Sequence, residues 1–574
     1  MKVSDRRTVG RADRLRRRAH VLAALVLAFQ SVCPTVRLSA QLSPHDSALH
    51  ALDRLAYGPR PGEVDAVAAG GVMNWIDRQL SPDQLDDRLA AERAATFRIL
   101  RYDSGDLARL YAAASEERRE RQQQGARQPA MDSLAPPAQQ GGKEEQMGRR
   151  LAGEVEQLVV VRAALSRRQL YEVMVDFWVN HFNVFFGKGA DRVLVPSYIE
   201  ETLRPRALGK FADLLIAAAR SPALLFYLDN WQSVAPGSMP PALTRPRLQA
   251  RPWFSRGRYV PGFSQEPARA DSQRRRALER MPKGINENYA RELLELHTLG
   301  VDGGYTQQDV IEVARILTGW SIKRPQQGGG FEFHDWAHDY GEKTVLGVRF
   351  PAGHGMDEGV RLLKLLASLP ATMHHVSRKL CQRLVNDEPP DGCVDDAVAA
   401  WKRSSGDIRE VVRAIVRGPD FWAPQNIGAK VKTPLEFVVS AVRAVGGDPD
   451  TTPRLAQVVA RLGQPLYRHV APDGYPEREE AWVNSGALLD RMNVAVALAA
   501  GRLPGVTVAL DSVAPATGDA EQLIAAVNDG ILGGTMSDNT RRVIRDELAD
   551  ARDPVAARAL AVGLVLGGPE FQRQ

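Results

Sequence analysis

Apolar side chains recur every three to four residues along most of this 574-residue chain, which is the spacing of one buried face of an α-helix. Before residue 170 the spacing predicts six helices, over residues 46–55, 61–69, 72–80, 86–100, 104–121 and 149–165. The period changes where FEFHDW and KTVLGVRF alternate apolar and polar residues, which predicts a small β-hairpin at about 331–349. Helical spacing resumes at about residue 356 and continues to the end. We therefore expect a mainly α fold, with residues 41–574 forming one large bundle-like helical domain.

Two irregular segments interrupt the helical pattern. Residues 117–148 are polar, rich in Gln and punctuated by Pro and Gly, so they predict a charged helix end that runs into a flexible loop. Residues 232–283 carry eight prolines and many arginines with little periodicity. That composition indicates a surface insertion rather than a domain, and the sequence assigns no role to it.

Capping signals mark the start of one further helix. Thr306 with Asp309 resembles an N-terminal capping box, with Asp in the place of the usual Glu. A helix is therefore expected immediately after Thr306. Another amphipathic helix is expected to follow Pro370 and to run through Val385.

The first 40 residues have the layout of an export signal. A charged segment, MKVSDRRTVGRADRLRRRAH, precedes the short apolar run VLAALVLAF and the small-residue cleavage site Leu38-Ser39-Ala40. The apolar run is too short for a stable membrane anchor, so no transmembrane anchor is expected after cleavage. We expect a mature protein that begins at Gln41 and is exported to the periplasm or the extracellular space.

The isoelectric point of about 9.2 suggests a nucleic-acid partner at first sight, but the position of the charges argues against one. The first 40 residues carry nine basic and two acidic residues, so the mature chain has a net charge of about −1 although the whole chain has +6. Residues 232–283 hold eleven basic and three acidic residues, which leaves the rest acidic. We therefore expect no nucleic-acid partner.

Signal cleavage would leave two cysteines, Cys381 and Cys393. In an oxidising compartment they would close a small loop, and the disulfide would contribute about 3 kcal/mol on the chain-entropy model. The alternative is a pair of buried thiols, and the sequence leaves both open. Two cysteines without a CxxC spacing make a poor zinc site.

Two predicted helices each place a histidine inside an apolar arc. In the segment 170–182 the apolar side chains spread over most of the circumference, and Glu172, Asp176 and Asn180 form a narrow polar stripe. In the segment 286–300, charged and amide side chains fill the face opposite the histidine. The candidate catalytic residues are Asp176, Asn180, His181, Glu287, Asn288, Arg291, Glu292, Glu295 and His297.

A structural role is the alternative for the same residues. A histidine on an apolar face is usually a hydrogen-bonded core residue. Glu287, Arg291 and Glu295 follow one another at intervals of four, which is typical of an ion-paired helix surface.

The turn HDWAHDYGEK brings further imidazoles and carboxylates. If the predicted hairpin folds over the two helices, His338 and Asp339 would join His181 and His297 as candidate metal ligands, because such groups suit zinc, manganese or iron. Acid–base chemistry without a metal and local turn chemistry are the alternatives. The HExxH, ExxH, GxSxG and Walker motifs are absent from the sequence, so a divalent metal is only a candidate cofactor.

The stretch GQPLYRHVAPDGYP, residues 463–476, is a loop that carries prolines and aromatic residues. Such loops often line a cleft, and four polar or aromatic residues follow on the helix behind it: Trp482, Asn484, Arg491 and Asn493. The alternative is a packed connector.

Several longer motifs resemble one bacterial family. They are NHFNV, NENYARELLELHTLGVDGGYTQQDV, ARILTGW, the HDYGEK turn and the PDGYP…W…LLDRMN segment. Together they are similar to the family called domain of unknown function 1800, from about Leu52 to the terminal GPEFQRQ. The insertion departs from the family pattern, which joins LDN (228–230) closely to NEN (286–288). The resemblance implies a mainly helical exported protein and, as a partner, an exported sulfatase- or phosphatase-like protein encoded nearby; it implies no catalytic residue.

Two functional hypotheses follow. The first is a non-catalytic envelope or secreted scaffold or partner-binding protein, whose polar stripes form buried ion-pair networks that fix the helices. The alternative is an exported metal-dependent or acid–base enzyme of hydrolase type, with a site built from the 170–182 and 286–300 helices and the 334–343 turn. The enzyme hypothesis predicts one pocket that gathers His181, Glu287, Arg291, Glu295, His297 and His338. The absence of a reaction motif favours the scaffold.

Overall fold

The computed structural model describes residues 42–125, 142–241, 284–516, 519–551 and 553–574. The predicted signal segment and most of the 232–283 insertion lie outside the described residues. Of the expected loop at 117–148, the described ends are helical, since one helix continues to Gly125 and the next begins at Lys143. Within the described part of the chain, no helix combines the length and the apolar composition needed to cross a membrane.

The fold is mainly α, as the periodicity predicted. The helices of the first half are α1 (Pro44–Leu55), α2 (Glu63–Gly70), α3 (Val72–Gln79), α4 (Arg88–Ala95), α5 (Ser104–Gly125), α6 (Lys143–Leu165), α7 (Gln169–His181), α8 (Asp191–Ser197), α9 (Phe211–Ala219), α10 (Pro222–Tyr227) and α11 (Glu287–Glu295). Those of the second half are α12 (Gln307–Ile316), α13 (Met356–Ser368), α14 (Pro370–Leu384), α15 (Asp391–Ser404), α16 (Ile408–Arg417), α17 (Pro434–Ala444), α18 (Arg454–Arg461), α19 (Ser485–Ala499), α20 (Ala520–Leu532), α21 (Asp538–Leu548), α22 (Pro554–Gly567) and α23 (Pro569–Gln572).

Local sequence signals explain where some of these helices begin. Thr306 accepts a hydrogen bond from the backbone N–H of Asp309, whose carboxylate accepts one from the backbone N–H of Thr306. The predicted capping box at α12 is therefore confirmed. Thr433 and Glu436 form the same box at α17, where Pro434 occupies the first helical position.

The strands form three small antiparallel pairs. They are β1 (Trp320–Ile322) with β2 (Phe331–Phe333), β3 (Lys343–Val345) with β4 (Val348–Phe350), and β5 (Asp448–Pro449) with β6 (Val506–Thr507). The region 331–349 thus contributes to two pairs instead of one. Its second pair closes on a tight Leu346-Gly347 turn in which both residues have positive φ, the geometry that right-handed strand twist favours.

One continuous apolar core runs through the described helices. Helix α6 lies at its centre and packs against α4, α5, α7, α17 and α18. Cys381 in α14 and Cys393 in α15 form a disulfide. Of the two alternatives, the cysteines are therefore paired and are not free buried thiols. The disulfide fixes α14 against α15, which matters because α14 also carries the central arginine of the site described next.

Candidate functional site

Helix α7 is buried around most of its circumference, so its few polar side chains need partners. Glu172 accepts two hydrogen bonds from the Arg204 guanidinium, at 2.7 and 2.8 Å. Burial disfavours the ionised carboxylate, but Arg204 outweighs burial and the pKa of Glu172 falls below its usual value. Glu172 is therefore a structural anion that ties α7 to Arg204, the residue that follows the π-helix Tyr198–Leu203.

Asp176, one turn further along α7, has a different environment. Among the described residues it forms an ion pair with Arg383 alone, whose Nη2 lies 3.3 Å from the Asp176 Oδ2. Burial and the neighbouring carboxylates Glu477 and Glu436 outweigh Arg383 and raise the pKa of Asp176 to about 7. About a quarter of the Asp176 side chain remains exposed. The two carboxyl groups of one helix therefore have pKa values shifted in opposite directions.

Arg383 of α14 is the centre of the charged network. Its guanidinium contacts Glu436 at 2.9 Å and Glu477 at 3.3 Å, besides Asp176. Only 4% of the Arg383 side chain is exposed. Arg383 thus contacts three carboxylates, and the repulsion of Glu477 and Glu436 adds to burial in favouring the protonated form of Asp176.

Asp176 lies where two cavities meet. The outer cavity has a volume of about 40 Å³ and is lined by Arg383, Tyr475, Glu477 and Trp482 among others. The inner cavity, also of about 40 Å³, extends past Glu172 and Arg204 to Tyr57. Asp176, Val179, Leu466 and Tyr467 line both cavities. We call the outer cavity the Asp176 cleft and define it by Asp176, Asn180, Asn183, Arg383, Tyr467, Tyr475, Glu477 and Trp482.

The loop 463–476 forms one wall of the Asp176 cleft, which is one of the two alternatives that the sequence left open for it. Asn180 donates to the Tyr475 carbonyl at 2.8 Å and accepts from the Tyr475 N–H at 2.7 Å. Asn183 donates to the carbonyls of His469 and Ala471. The two amides of the NHFN stretch therefore hold the loop against the end of α7.

Backbone strain accompanies the cleft. Tyr467 has a φ of 59°, a left-handed conformation that costs a non-glycine residue roughly 1 kcal/mol or more. Its carbonyl accepts a hydrogen bond from the Phe186 N–H at 2.9 Å, which helps to hold this conformation. Strained residues concentrate at functional sites because the surrounding fold must maintain them.

The two candidate histidines are neighbours, but they lie in the core. Their ring centroids are 6.1 Å apart, and the His181 Nε2 lies 3.2 Å from the His297 carbonyl. Burial, followed by the charge of Lys379, lowers the pKa of His297 to about 3 and lowers that of His181 well below its usual value. Both imidazoles are therefore neutral at physiological pH, and both pack against Phe182.

The polar face of the 286–300 segment contacts a different part of the chain. Arg291 donates to Gln307 at 2.6 Å, and Gln307 donates to Glu287 at 2.7 Å. Glu295 accepts from the Tyr305 hydroxyl at 3.2 Å. These side chains fix α11 to the start of α12 rather than pointing into the Asp176 cleft.

Two further candidates on this helix also stay outside the cleft. Asn288 is exposed. Burial and the nearby carboxylates Glu295 and Asp473 raise the pKa of Glu292. The structure therefore brings Asp176 and Asn180 to a cleft and leaves the other candidate residues of the two helices elsewhere.

The HDYG turn is a structural junction. The two ring nitrogens of His338 face the carbonyls of Thr318 and His354 at 2.9 and 3.0 Å, and Glu358 lies 3.4 Å away. Asp339 accepts two hydrogen bonds from Arg315, at 2.7 and 3.2 Å. Burial opposes ionisation of Asp339, but Arg315 lowers its pKa below the usual value. The turn therefore joins the small sheets to α12 and α13.

Of the four residues singled out after the loop 463–476, one lies in the cleft and three lie elsewhere. Trp482 lies in the cleft and donates from its indole to the Pro476 carbonyl at 3.0 Å. Asn484 caps α19, Arg491 is buried over the Phe437 ring, and Asn493 is exposed. Among the residues that the structure describes, no group of three or more His, Cys, Asp or Glu side chains is placed to hold a metal ion.

Arg383, the arginine at the centre of the network, was not among the candidate residues predicted from the sequence. Arg383 lies seven residues after Val376 and three after Leu380, so it shares the buried face of α14. A charged residue inside an apolar arc is the same signal that singled out the two histidines. Glu436 also lies inside a buried apolar helix, α17, whereas Glu477 carries no comparable signal. The contact of both with Arg383 depends on the packing of distant segments.

The chain belongs to the family described as Protein of unknown function (DUF1800), whose family model matches residues 50–573. The predicted family is therefore confirmed over nearly the whole chain. A search of curated proteins found no match. A search of solved structures also found none.

Proposed function

We propose that this protein is an exported hydrolase that works by general acid–base chemistry, with Asp176 as the proton donor. The observation that carries the proposal is the Asp176 carboxyl group, which has a pKa of about 7 and is still partly exposed in a cleft. A general acid is most effective when its pKa lies near the working pH. A strongly shifted carboxyl group in a concave site is typical of enzymes.

The second carboxylate for such a reaction is Glu477. It lines the same cleft and contacts the other nitrogen of the Arg383 fork. Protonated Asp176 donates its proton to the leaving oxygen while the bond between carbon and that oxygen breaks. A solvent water adds its hydroxyl to the carbon, and Glu477 accepts the proton that the water loses. Arg383 stabilises the Asp176 carboxylate that this step leaves behind.

The cleft favours a sugar as the group that carries the reacting bond. The half-buried Tyr475 ring lines the cleft, with the buried Trp482 ring 5.9 Å away between centroids, and an aromatic face of this kind packs well against the apolar face of a sugar ring. Most glycoside hydrolases cleave the glycosidic bond with a pair of carboxyl groups, one protonated and one ionised. We therefore place the reaction in the class of glycoside hydrolysis.

The test compares two aspartate variants on a panel of polysaccharides. Asp176→Asn removes the proton donor without changing the size of the side chain, and Asp213→Asn, at an exposed position of α9, is the matched control. Release of reducing ends should fall by at least about a hundredfold in Asp176→Asn, because general acid catalysis contributes about 10²–10⁴ in rate. It should stay unchanged in Asp213→Asn. The proposal fails if the wild type releases no reducing ends from any polysaccharide, or if Asp176→Asn keeps its rate.

Export rests on two features. The N-terminal segment has the charged, apolar and small-residue regions of a signal. The Cys381–Cys393 disulfide is typical of proteins from oxidising compartments. Fractionation of the native host, with an antibody against the mature chain, would check the proposed location.

A scaffold role is the second candidate, because the polar stripes do form buried ion pairs. Glu172 with Arg204 and Glu436 with Arg383 both join segments that are distant in sequence. Ion pairs of this kind can fix the relative position of helices without any reaction. An inactive wild type that co-purifies with a second exported protein would favour the scaffold.

A further inference from the structure

A second concave site lies beside the Asp176 cleft and takes no part in the chemistry above. It is a groove of about 450 Å³ between α5, α6, the start of α8 and the loop 463–476. Four arginines line it, with Glu145 as the acidic residue among its lining side chains. We call it the arginine groove and define it by Tyr111, Arg118, Arg149, Phe186, Arg192 and Arg468.

Two of the four guanidinium groups of the arginine groove lie over aromatic rings. The Arg192 guanidinium lies 5.9 Å from the centre of the Tyr111 ring, and that of Arg468 lies 5.8 Å from the Phe186 ring. Cation–π contacts of this kind orient the guanidinium plane while its edge stays available for hydrogen bonds. Arg192 is exposed, and 44% of the Arg468 side chain is exposed.

The ion pairs around the groove leave it positively charged. Arg149 pairs with Glu145 at 2.8 Å, and Arg468 pairs with Glu156 at 2.7 Å. Arg118 and Arg192 add two further cations. The segment 126–141, which connects α5 to α6, carries one arginine and one aspartate. It therefore has no net charge and does not neutralise the arginines of the groove. Since the chain after residue 40 has a net charge of about −1, the positive charge of the groove is local.

The arginine groove and the Asp176 cleft share a wall. Tyr467 lines the cleft, and the next residue, Arg468, lines the groove. On the other side of this wall, Phe186 donates its backbone N–H to the Tyr467 carbonyl and contributes its ring to the groove. The left-handed backbone of Tyr467 therefore directs two consecutive side chains into two neighbouring sites.

We propose that the arginine groove binds the carboxylate groups of an acidic polysaccharide and presents the chain to the Asp176 cleft. Guanidinium forks recognise planar carboxylates through two parallel hydrogen bonds. An open groove suits a chain that extends beyond the site at both ends. A nucleic acid fits less well, because its backbone would extend from the local positive groove over the acidic remainder of the surface. The identity of the substrate rests on the proposed function, whereas binding to the groove does not.

The test measures binding by titration calorimetry on the full mature chain. The probes are an oligomer of galacturonic acid, a neutral glucose oligomer of the same length, and a single-stranded oligonucleotide of the same charge. The groove variant is Arg149→Gln with Arg192→Gln. The control is Arg88→Gln with Arg349→Gln, two exposed arginines in ion pairs elsewhere.

We expect the wild type and the control to bind the galacturonate oligomer, and the groove variant to bind it at least about tenfold more weakly. The neutral oligomer should bind more weakly than the acidic one, and added salt should reduce only the acidic binding. Equal binding of the neutral oligomer, equal binding by the groove variant, or tighter binding of the oligonucleotide would each overturn the proposal.

Asp176→Asn separates the two proposals. It should bind the galacturonate oligomer as tightly as the wild type while losing hydrolysis. If the wild type binds the galacturonate oligomer but does not hydrolyse it, the proposed reaction is contradicted, whereas binding in the arginine groove is still supported. If the wild type hydrolyses only neutral polysaccharides, the proposed binding of acidic chains in the arginine groove is contradicted, whereas the proposed reaction is still supported.

Discussion

Replacing Asp176 with asparagine should stabilise the folded protein at alkaline pH although it removes the proposed proton donor. The pKa of Asp176 is raised from about 3.8 to about 7 in the folded state. A group with a raised folded pKa favours the folded state below its unfolded pKa and loses that effect as pH rises through its folded pKa. The wild type therefore loses stability between about pH 4 and pH 7, and the asparagine variant does not.

The size of the effect follows from the pKa shift. A shift of about three units corresponds to about 4 kcal/mol at pH 8, at about 1.4 kcal/mol per unit. The attraction between Asp176 and Arg383, which lies 3.3 Å away, is already contained in this net shift. The gain of about 4 kcal/mol corresponds to a rise of about 3 °C in Tm, since the unfolding entropy of a chain this long is about 1.2 kcal/mol/K.

Differential scanning calorimetry from pH 4 to pH 8 would measure this gain. The Tm of Asp176→Asn minus that of the wild type should rise from near zero at pH 4 to about 3 °C at pH 8. Asp213→Asn, at an exposed position, should show no such trend. A difference that stays constant with pH, or a variant less stable than the wild type at pH 8, would refute the reasoning.

Two more predictions concern the frame of the site. Gly474→Ala should lower Tm more than Gly463→Ala: both glycines have positive φ, but a Cβ at 474 would lie 2.3 Å from the Asn180 carbonyl while one at 463 meets open space. Equal losses would count against the loop contact. Replacing Cys381 and Cys393 by serine should cost about 3 kcal/mol in denaturant unfolding, and an unchanged midpoint would argue that the thiols are not paired.

The helices could be predicted from the sequence because each feature that marks them depends on residues that are close together in the chain. The all-round burial of α7 and the capping box at Thr306 both depend on residues within one or two helical turns. The strands were harder to place. Residues 320–322, Trp-Ser-Ile, directly follow a helical segment and are all buried, so no alternation marked them as the partner of Phe331–Phe333.

The candidate site was only half predictable. Asp176 and Asn180 stood out as a polar stripe on a buried helix, and both line the cleft. His297 was expected to be buried, and it is, but periodicity alone does not distinguish a ligand from a core imidazole. Glu436 and Glu477 could not be paired with Asp176, because contacts between distant segments leave no trace in a single sequence.

The most direct test of the account is the pKa of Asp176 itself. It can be read from a ¹³C NMR titration of side-chain carboxyl groups, with Asp176→Asn used to assign the resonance. We expect one carboxyl resonance that titrates at about 7 and disappears in the variant. A resonance that titrates near the ordinary aspartate value of about 4 would show that Asp176 is ionised at neutral pH, and would contradict its role as the proton donor.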